Sequence, residues 1–297
     1  MDNRDEVRAF LTSRRDKITP AQAGLPVYGT RRVAGLRRGE VAMLAGVSVE
    51  YYTRLERGNL AGVSESVLDA LAQALRLDET ERVHLYDLAR AANTTPARVR
   101  RRPTRATTVR PIVERMLEAM PSMPAFVFNA RFDFLAANPL CRALYSEMYA
   151  DPGCGRNVAR FVFLNPAAHR FHVDWEPVAK NMVGVLRIEA GRNPYDRELS
   201  NLIGELSTRS DAFRVLWGAH DVHAFRQETK RLNHPVVGLL ELDHETMDLP
   251  GDTGQTVAIY SAPPGSPTAD ALAMLASWTA TQQEGAHDAP AGAEPTN

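Results

Sequence analysis

Two short helical patterns joined by a tight turn constrain the first third of this chain more than any other feature. They run from about residue 38 to 45 and from about 48 to 57. Gly46 lies in the connection, where the chain needs a positive φ, and Ser48 can cap the second helix through its hydroxyl oxygen. Gly58 is suited to end that helix. So short a turn predicts two helices that cross at close range.

The second of these helices has an apolar and a polar face. Tyr52 and Leu55, three residues apart, are expected to face the core. The remaining side chains point outward, as on a helix that offers its residues to base edges in the major groove of DNA. These outward residues are Ser48, Val49, Glu50, Tyr51, Thr53 and Arg54. The pattern favours a DNA-binding helix over an ordinary helical hairpin.

The run VAMLAGVSVEYYTRLERG, which begins at Val41, resembles the XRE/Cro-type helix-turn-helix family. Members of that family bind operator DNA as dimers, so the resemblance implies a homodimer on a double-stranded operator, expected to be an inverted repeat. Further helices are predicted over residues 4–16, from Ser64, and over 78–92, where Asp78 and Glu81 can form a capping box. Residues 1–92 are therefore predicted to form an all-α helix-turn-helix domain.

The connection from residue 20 to 36 is long for a helix–helix loop and contains Arg31 and Arg32. Two interpretations stay open for it. It is either an unstructured loop or a basic arm that contacts phosphates or enters the minor groove. Arg38, at the start of the next helix, is a further candidate for a phosphate contact.

Charge is divided unevenly along the chain. Residues 1–110 carry a net charge of +7 and the remainder carries −8, although the whole chain has only −1. This asymmetry predicts a polyanion-binding head on an acidic body. Residues 93–110, rich in Pro, Thr and Arg, are predicted to be a linker, and residues 281–297 a disordered tail.

Beyond the linker, residues 111–280 are predicted to form an α+β domain, an antiparallel sheet covered by helices. Ala125–Asn129 and Phe132–Ala136 read as a hairpin, and Asn138-Pro139 as the start of a helix. Other helices are predicted at Val158–Leu164, Trp175–Ala190, Tyr195–Ser207, Ser210–His220 and from Ser266 to Thr279. Further strands are predicted at His223–Thr229, Val236–Asp243 and Thr256–Ser261.

Several segments of this region together resemble the MmyB-like regulator ligand-binding domain, over about residues 112–280. They include PAFVFNARFDFLAANPLCRALY, RSDAFRVLWGAHDV and the long run from TKRLNHPVV to SAPPGSP. That family is PAS-like, and the resemblance implies a pocket that holds a small apolar or amphipathic effector such as a fatty acid.

A pocket between sheet and helices is expected to be apolar with few polar anchors. Trp217 could form a wall for an acyl chain, and a nearby cation could pair with a carboxylate. The candidate ligand-binding residues are Arg160, Arg214, Trp217, His220 and His234. Each also has an ordinary structural interpretation: Trp217 as core, Arg214 as an ion pair, His220 as a cation at a helix end.

No recognisable catalytic or metal motif stands out in the sequence. His169/His172 and His220/His223 have HxxH spacing but lack the Glu of HExxH, so neither a metal nor a cofactor is expected. GxSxG, Walker and GxGxxG motifs are absent from the sequence, and the protein is expected not to be an enzyme. Cys141 and Cys154 are expected to be reduced thiols rather than a disulfide or a redox switch.

The first residues lack the apolar segment of a signal peptide, and the sequence has no apolar run of the roughly 18 residues that a membrane helix needs. The expected location is therefore cytoplasmic, at the nucleoid when the protein is bound to DNA, with no membrane partner. The leading hypothesis is a one-component transcriptional regulator. Two alternatives remain: a body that only dimerises or binds protein, or an enzyme fused to a DNA-binding head.

Overall fold

The chain folds into two compact units, residues 1–103 with 179–225, and residues 104–178 with 226–297. The computed structural model describes residues 3–26, 31, 33–93, 108–220, 229–252 and 254–287, with side chains as far as residue 278. Most of the predicted linker, residues 94–107, lies outside this part. Within the described ranges, none of the helices combines the length and the apolar character needed to cross a membrane.

The N-terminal part of the first unit is all helical, as predicted. Its helices, which begin and end close to the predicted positions, are α1 Asn3–Lys17, α2 Arg38–Leu44, α3 Val49–Glu56, α4 Glu65–Ala74 and α5 Glu79–Ala92. They enclose a core in which Phe10, Tyr52 and Leu71 are fully buried. Burial of this kind, at about 25 cal/mol per Å² of apolar surface, is the main force that holds short helices together.

The expected caps and turns are formed. Ser48 Oγ accepts a hydrogen bond from the backbone N–H of Tyr51 at 3.0 Å, which fixes the start of α3. Asp78 and Glu81 accept from each other's backbone N–H at the start of α5, as in the predicted capping box. Gly46, before α3, has φ +65°, and Gly58, after it, has φ +96°, both in the left-handed region.

The second unit opens with a helix that the sequence patterns did not predict, α6 Pro111–Glu118. The predicted hairpin follows as β1 Ala125–Asn129 and β2 Phe134–Ala137. Asn138 caps the next helix, as predicted, by accepting from Cys141 N at 2.9 Å. The helices after β2 are α7 Pro139–Leu144, α8 Ser146–Ala150, α9 Val158–Leu164 and α10 Ala168–Phe171.

Three longer helices follow, close to the predicted positions: α11 Trp175–Arg192, α12 Arg197–Arg209 and α13 Asp211–Gly218. The helix α11 begins in the second unit, and its residues from 179 onward belong to the first. Ile188 of α11 packs against the core that α1 to α5 enclose. Residues 179–218 therefore group with the N-terminal helices.

The chain then returns to the second unit as β3 Thr229–His234, β4 Gly238–Asp248, β5 Gln255–Ser261 and α14 Pro267–His287. The five strands form one antiparallel sheet in the order β2-β1-β5-β4-β3, which confirms the predicted α+β class. The strand predicted at 223–229 lies, apart from Thr229, outside the described residues, and within them β3 begins at Thr229. The strand prediction 236–243 is wrong at its start, because a turn at 235–237 delays β4 to Gly238.

The helix α14 extends past the predicted end at Thr279 as far as His287, and so includes the first residues of the segment predicted to be a disordered tail. Residues 288–297 lie outside the described part of the chain.

Candidate DNA interface and ligand site

The outer face of α3 carries the predicted DNA-binding residues. Val49, Glu50 and Arg54 are exposed, whereas Tyr51 and Thr53 are half-buried. The guanidinium of Arg54 lies 4.8 Å from the ring centroid of Tyr51, a cation–π contact that restricts its position. Ser48 is exposed but also serves as the helix cap. The outer face therefore carries the cation of Arg54, the acid of Glu50, the hydroxyls of Ser48, Tyr51 and Thr53, and the apolar side chain of Val49.

A shallow depression of about 350 Å³ lies on this face and extends past the end of α3. Its lining residues are Val49, Glu50, Thr53, Arg54, Arg57 and Asn59. Arg57 and Asn59 are not among the predicted contacts, because the sequence around Gly58 predicts only the end of a helix. The left-handed turn at Gly58 places these two residues beside the outer face. Both can donate hydrogen bonds to phosphate or to base edges.

Arg38 forms an ion pair with a buried carboxylate of the first unit. Its Nε donates to the carboxylate of Glu56, which is 2 % exposed and also accepts from Arg15 Nε at 2.6 Å. The Arg38 side chain as a whole nevertheless remains about half exposed. A cation held in place at the start of α2 suits a phosphate contact, because little conformational entropy is left to lose.

Arg31 donates to both carboxylate oxygens of Glu40, at 2.7 and 2.8 Å, and to the carbonyl oxygen of Gly35 at 2.9 Å. The hydrogen bond from Arg31 is the largest influence on Glu40 and helps to hold the pKa of that carboxyl at about 2. Arg31 is therefore engaged with Glu40 of α2 and with Gly35 of its own loop in this state. Arg32 lies outside the described residues.

The candidate ligand-binding residues are divided between the two units. Arg214, Trp217 and His220 belong to the first unit, and Arg160 and His234 to the second. Arg214 is exposed and pairs with Asp211 at 2.6 Å. His234 is buried: its Nε2 lies 3.1 Å from the carbonyl oxygen of Ala143, and its Nδ1 accepts from the Val236 N–H. Arg160 lies on α9, near the start of the helix.

Trp217 and His220 instead surround Arg187 of α11, which is fully buried. The guanidinium carbon of Arg187 lies 4.2 Å from the ring centroid of Trp217, and Nη1 lies 2.8 Å from His220 Nδ1. Nη1 also donates to Glu6 Oε1 at 2.6 Å, while Nη2 donates to the Trp217 carbonyl oxygen. This cluster joins α1, α11 and α13. No local pattern predicts this cluster, because Glu6 and Arg187 are 181 positions apart.

Further contacts of α1 and α5 extend this junction. Arg192 Nε donates to Asp87 Oδ2 at 2.7 Å. Arg14 Nη2 donates to the His220 carbonyl oxygen at 2.6 Å. A Cβ added to Gly191 would approach the His84 ring to 2.8 Å, so the absence of a side chain there lets α11 lie against α5. Residues 179–218 are thus held to the DNA-binding helices by ion pairs, hydrogen bonds and close packing.

The interior of the second unit is aromatic. Phe126 stacks on Phe134 at 4.2 Å between centroids, and Tyr145 meets Phe171 at 5.4 Å. Cys141 and Cys154 are both reduced, and burial raises the pKa of each thiol, that of Cys154 to about 12. Neither is a reactive thiolate near neutral pH. In the described part of the chain, no three His, Cys, Asp or Glu residues lie close enough to hold a metal ion.

Two family models match the chain. One, described as the MmyB-like transcription regulator ligand binding domain, matches residues 109–275. The other, described as a helix-turn-helix domain, matches residues 29–85. No curated protein is significantly similar to the chain. The first match covers more than half of the chain and includes the helices α11 to α13 that pack beside the second match.

Proposed function

The chain belongs to the transcription regulators with an MmyB-like ligand-binding domain, and we propose that it is a one-component regulator whose operator binding responds to a small apolar or amphipathic molecule. The class of regulator rests on the two family matches. The operator-binding face, the effector and the coupling between them are the proposal. A fatty acid is the effector class that the family resemblance suggests.

The helix-turn-helix geometry supports the DNA-binding part. We assign base contacts to Thr53 and Arg54, and phosphate contacts to Arg38 and Arg57, because these side chains lie on or beside the exposed face of α3. The protein acts as a homodimer on an inverted repeat, with half-sites about one helical turn apart, as heads of this type usually do. It works in the cytoplasm, at the nucleoid when bound to DNA.

The proposal that a ligand alters DNA binding rests on the position of residues 179–218. They lie inside the matched ligand-binding domain, yet they pack on α1 and α5 of the DNA-binding helices. A ligand that changes the preferred position of α11 to α13 therefore changes the energy of the DNA-binding helices themselves.

The alternative is a C-terminal domain that only dimerises or binds protein. The close contact among aromatic rings in the second unit favours it, since a ligand would have to displace them. Native mass spectrometry of protein purified from its own host separates the two, because a bound effector adds a defined mass.

Two matched pairs of variants test the DNA-binding assignment. Thr53→Ala and Arg54→Ala should each cost roughly 1–3 kcal/mol on a selected operator, as loss of a base contact does. Thr208→Ala and Arg209→Ala, on the exposed face of α12, repeat the same two changes and should leave the affinity unchanged. Gel-shift titrations at several salt concentrations give both values. Equal binding by all four variants would show that α3 is not the helix that contacts the bases.

A further inference from the structure

Glu50 places a negative charge on the face of α3 that is assigned to DNA. The other acid of this helix, Glu56, is buried, whereas the Glu50 side chain is exposed and lines the depression on the outer face. Phosphates repel a carboxylate, so Glu50 opposes the attraction that brings a segment of net charge +7 to DNA. An acid at this position therefore needs a favourable partner among the bases.

Glu50 is not paired with the cation that is nearest along the helix. Arg54 follows it by four residues, the spacing at which a glutamate and an arginine commonly form an ion pair. The Arg54 guanidinium instead lies over the Tyr51 ring, 4.8 Å from its centroid, in a contact that uses none of its N–H donors. Within the described ranges of the chain, no ion pair or side-chain hydrogen bond engages Glu50. Both charged groups are therefore available to the bases.

The spacing of Glu50 and Arg54 matches that of base pairs. The two residues lie on one face of α3, because side chains four residues apart project from the same side of a helix. Four residues of α-helix rise about 6 Å, and two base-pair steps of DNA rise about 7 Å. Glu50 and Arg54 can therefore reach base pairs that are two steps apart in the major groove.

The atoms on the major-groove edge decide which bases suit these two groups. Arginine donates two parallel hydrogen bonds to O6 and N7 of guanine. A carboxylate only accepts, so it needs an amino group, which cytosine carries at N4 and adenine at N6. Adenine also presents the acceptor N7 beside its amino group, and this atom repels a carboxylate. Cytosine is therefore the base that suits Glu50.

We propose that Glu50 selects a cytosine in the operator half-site by accepting a hydrogen bond from its N4 amino group, while Arg54 contacts a guanine two base pairs away. Tyr51 is a positioning residue, because its ring holds Arg54 apart from Glu50 and leaves both charges to the bases. The inference rests on the proposed function, since it takes α3 as the helix that contacts the bases, and it deepens that function by naming the bases.

The first test uses the full-length protein and an operator obtained by selection from random double-stranded DNA. Fluorescence anisotropy gives the Kd after each base-pair replacement. Loss of the C·G pair should weaken binding roughly 5- to 150-fold. Replacement by T·A should cost most, because O4 of thymine turns an acceptor toward Glu50, and replacement by A·T should cost less, because adenine keeps an amino group.

Glu50→Ala should remove this discrimination. In that variant, all replacements of the C·G pair should change the Kd by less than about twofold, well below the usual cost of a mismatched pair. The affinity for non-operator DNA should rise, because a charge that repels phosphates is gone. Glu198→Ala is the control: it makes the same change at the second residue of α12, and it should keep the pattern of the unaltered protein.

Glu50→Gln tests the assignment without shortening the side chain. A glutamine amide binds N6 and N7 of adenine together, so the preferred pair at this position should change from C·G to A·T. A structural role at the start of α3 does not predict such a change. Glu198→Gln should leave the preference for C·G unchanged.

The role of Tyr51 has its own variants. Tyr51→Phe keeps the ring and should keep both base preferences. Tyr51→Leu should weaken the preferences for cytosine and for guanine, because Arg54 is then free to pair with Glu50. Adding Glu50→Ala to Tyr51→Leu should restore the preference for guanine. Circular dichroism checks that each variant is folded. If folded Tyr51→Leu keeps both preferences, Tyr51 is not a positioning residue.

The outcomes separate this inference from the proposed function. If Glu50→Ala and Glu50→Gln keep the base preferences of the unaltered protein, Glu50 only stabilises the start of α3 through the helix dipole, and the inference is wrong. The proposed operator-binding face then still stands if Thr53→Ala and Arg54→Ala lose affinity, and it fails as well if they do not. A change from C·G to A·T in Glu50→Gln supports the inference.

Discussion

Arg187 Nη1 donates to Glu6 Oε1 at 2.6 Å, and neither side chain is more than a few per cent exposed. Glu6 belongs to the first helix of the DNA-binding part, and Arg187 to a helix inside the matched ligand-binding domain. A buried ion pair contributes little net stability compared with apolar residues, but loss of one partner leaves a buried charge unpaired. The pair therefore favours one docked arrangement of α11 on α1.

Arg187→Met should lower the free energy of unfolding by about 3–5 kcal/mol, because it strands the Glu6 carboxylate in the core. Adding Glu6→Gln to this variant should cost less than the sum of the two single changes, since the residues interact directly. Urea unfolding of the four proteins measures the coupling. Arg214→Met, which breaks an exposed ion pair, is the control and should cost no more than about 1 kcal/mol. Strictly additive losses would contradict the pairing.

Acid should weaken the same junction. Burial alone would raise the pKa of Glu6, but His84, whose Nε2 lies 3.8 Å from Oε1, and the charge and hydrogen bond of Arg187 lower it from 4.5 to about 2. A carboxyl whose pKa is depressed on folding stabilises the protein above its unfolded pKa, and that contribution, about 3 kcal/mol, is lost as the pH falls from about 5 to 2.

Urea unfolding at each pH gives the free energy of unfolding of the unaltered protein and of Glu6→Gln. Glu6→Gln should lose about 3 kcal/mol less stability over this range than the unaltered protein. Asp211→Asn, at an exposed position, should follow the unaltered protein. Parallel curves for all three proteins would show that Glu6 is not the titrating group.

The two glycines that flank α3 should differ in their tolerance of a side chain. At Gly46 nothing lies within 4 Å of an added Cβ, so Gly46→Ala should cost only the left-handed backbone strain of about 1–2 kcal/mol. At Gly58 the Cβ would lie 2.5 Å from the Arg4 carbonyl oxygen, so Gly58→Ala should cost about 3 kcal/mol or more. Thermal unfolding of both variants checks this order. If Gly46→Ala were the less stable of the two, the close approach of Gly58 to the Arg4 carbonyl oxygen would be contradicted.

Local chemistry explains what the sequence predicted well. Ser48, Asp78 and Asn138 each form the cap expected of them, because a capping side chain acts on backbone groups two or three residues away. The hairpin of β1 and β2 was predicted from alternation and a short connection, which are also local. The helical period of α3 correctly separated the buried Tyr52 and Leu55 from the outer face.

Long-range pairing explains what the sequence did not predict. The strand β3 reads TKRLNH, and its covered face holds Lys230, Leu232 and His234, so only one residue of that face signals burial by hydrophobicity. The sequence also did not predict that Trp217 and His220 contact Arg187, because Arg187 lies 30 or more positions earlier in the chain.

The central claim is that a ligand in the C-terminal domain changes the affinity of α3 for DNA. The direct measurement is the operator dissociation constant, by fluorescence anisotropy, with and without a saturating amphipathic ligand whose binding has been shown by titration. A coupling of about 1–3 kcal/mol predicts a change of roughly 5- to 150-fold, in either direction. An operator affinity that stays the same with the ligand bound would contradict the account.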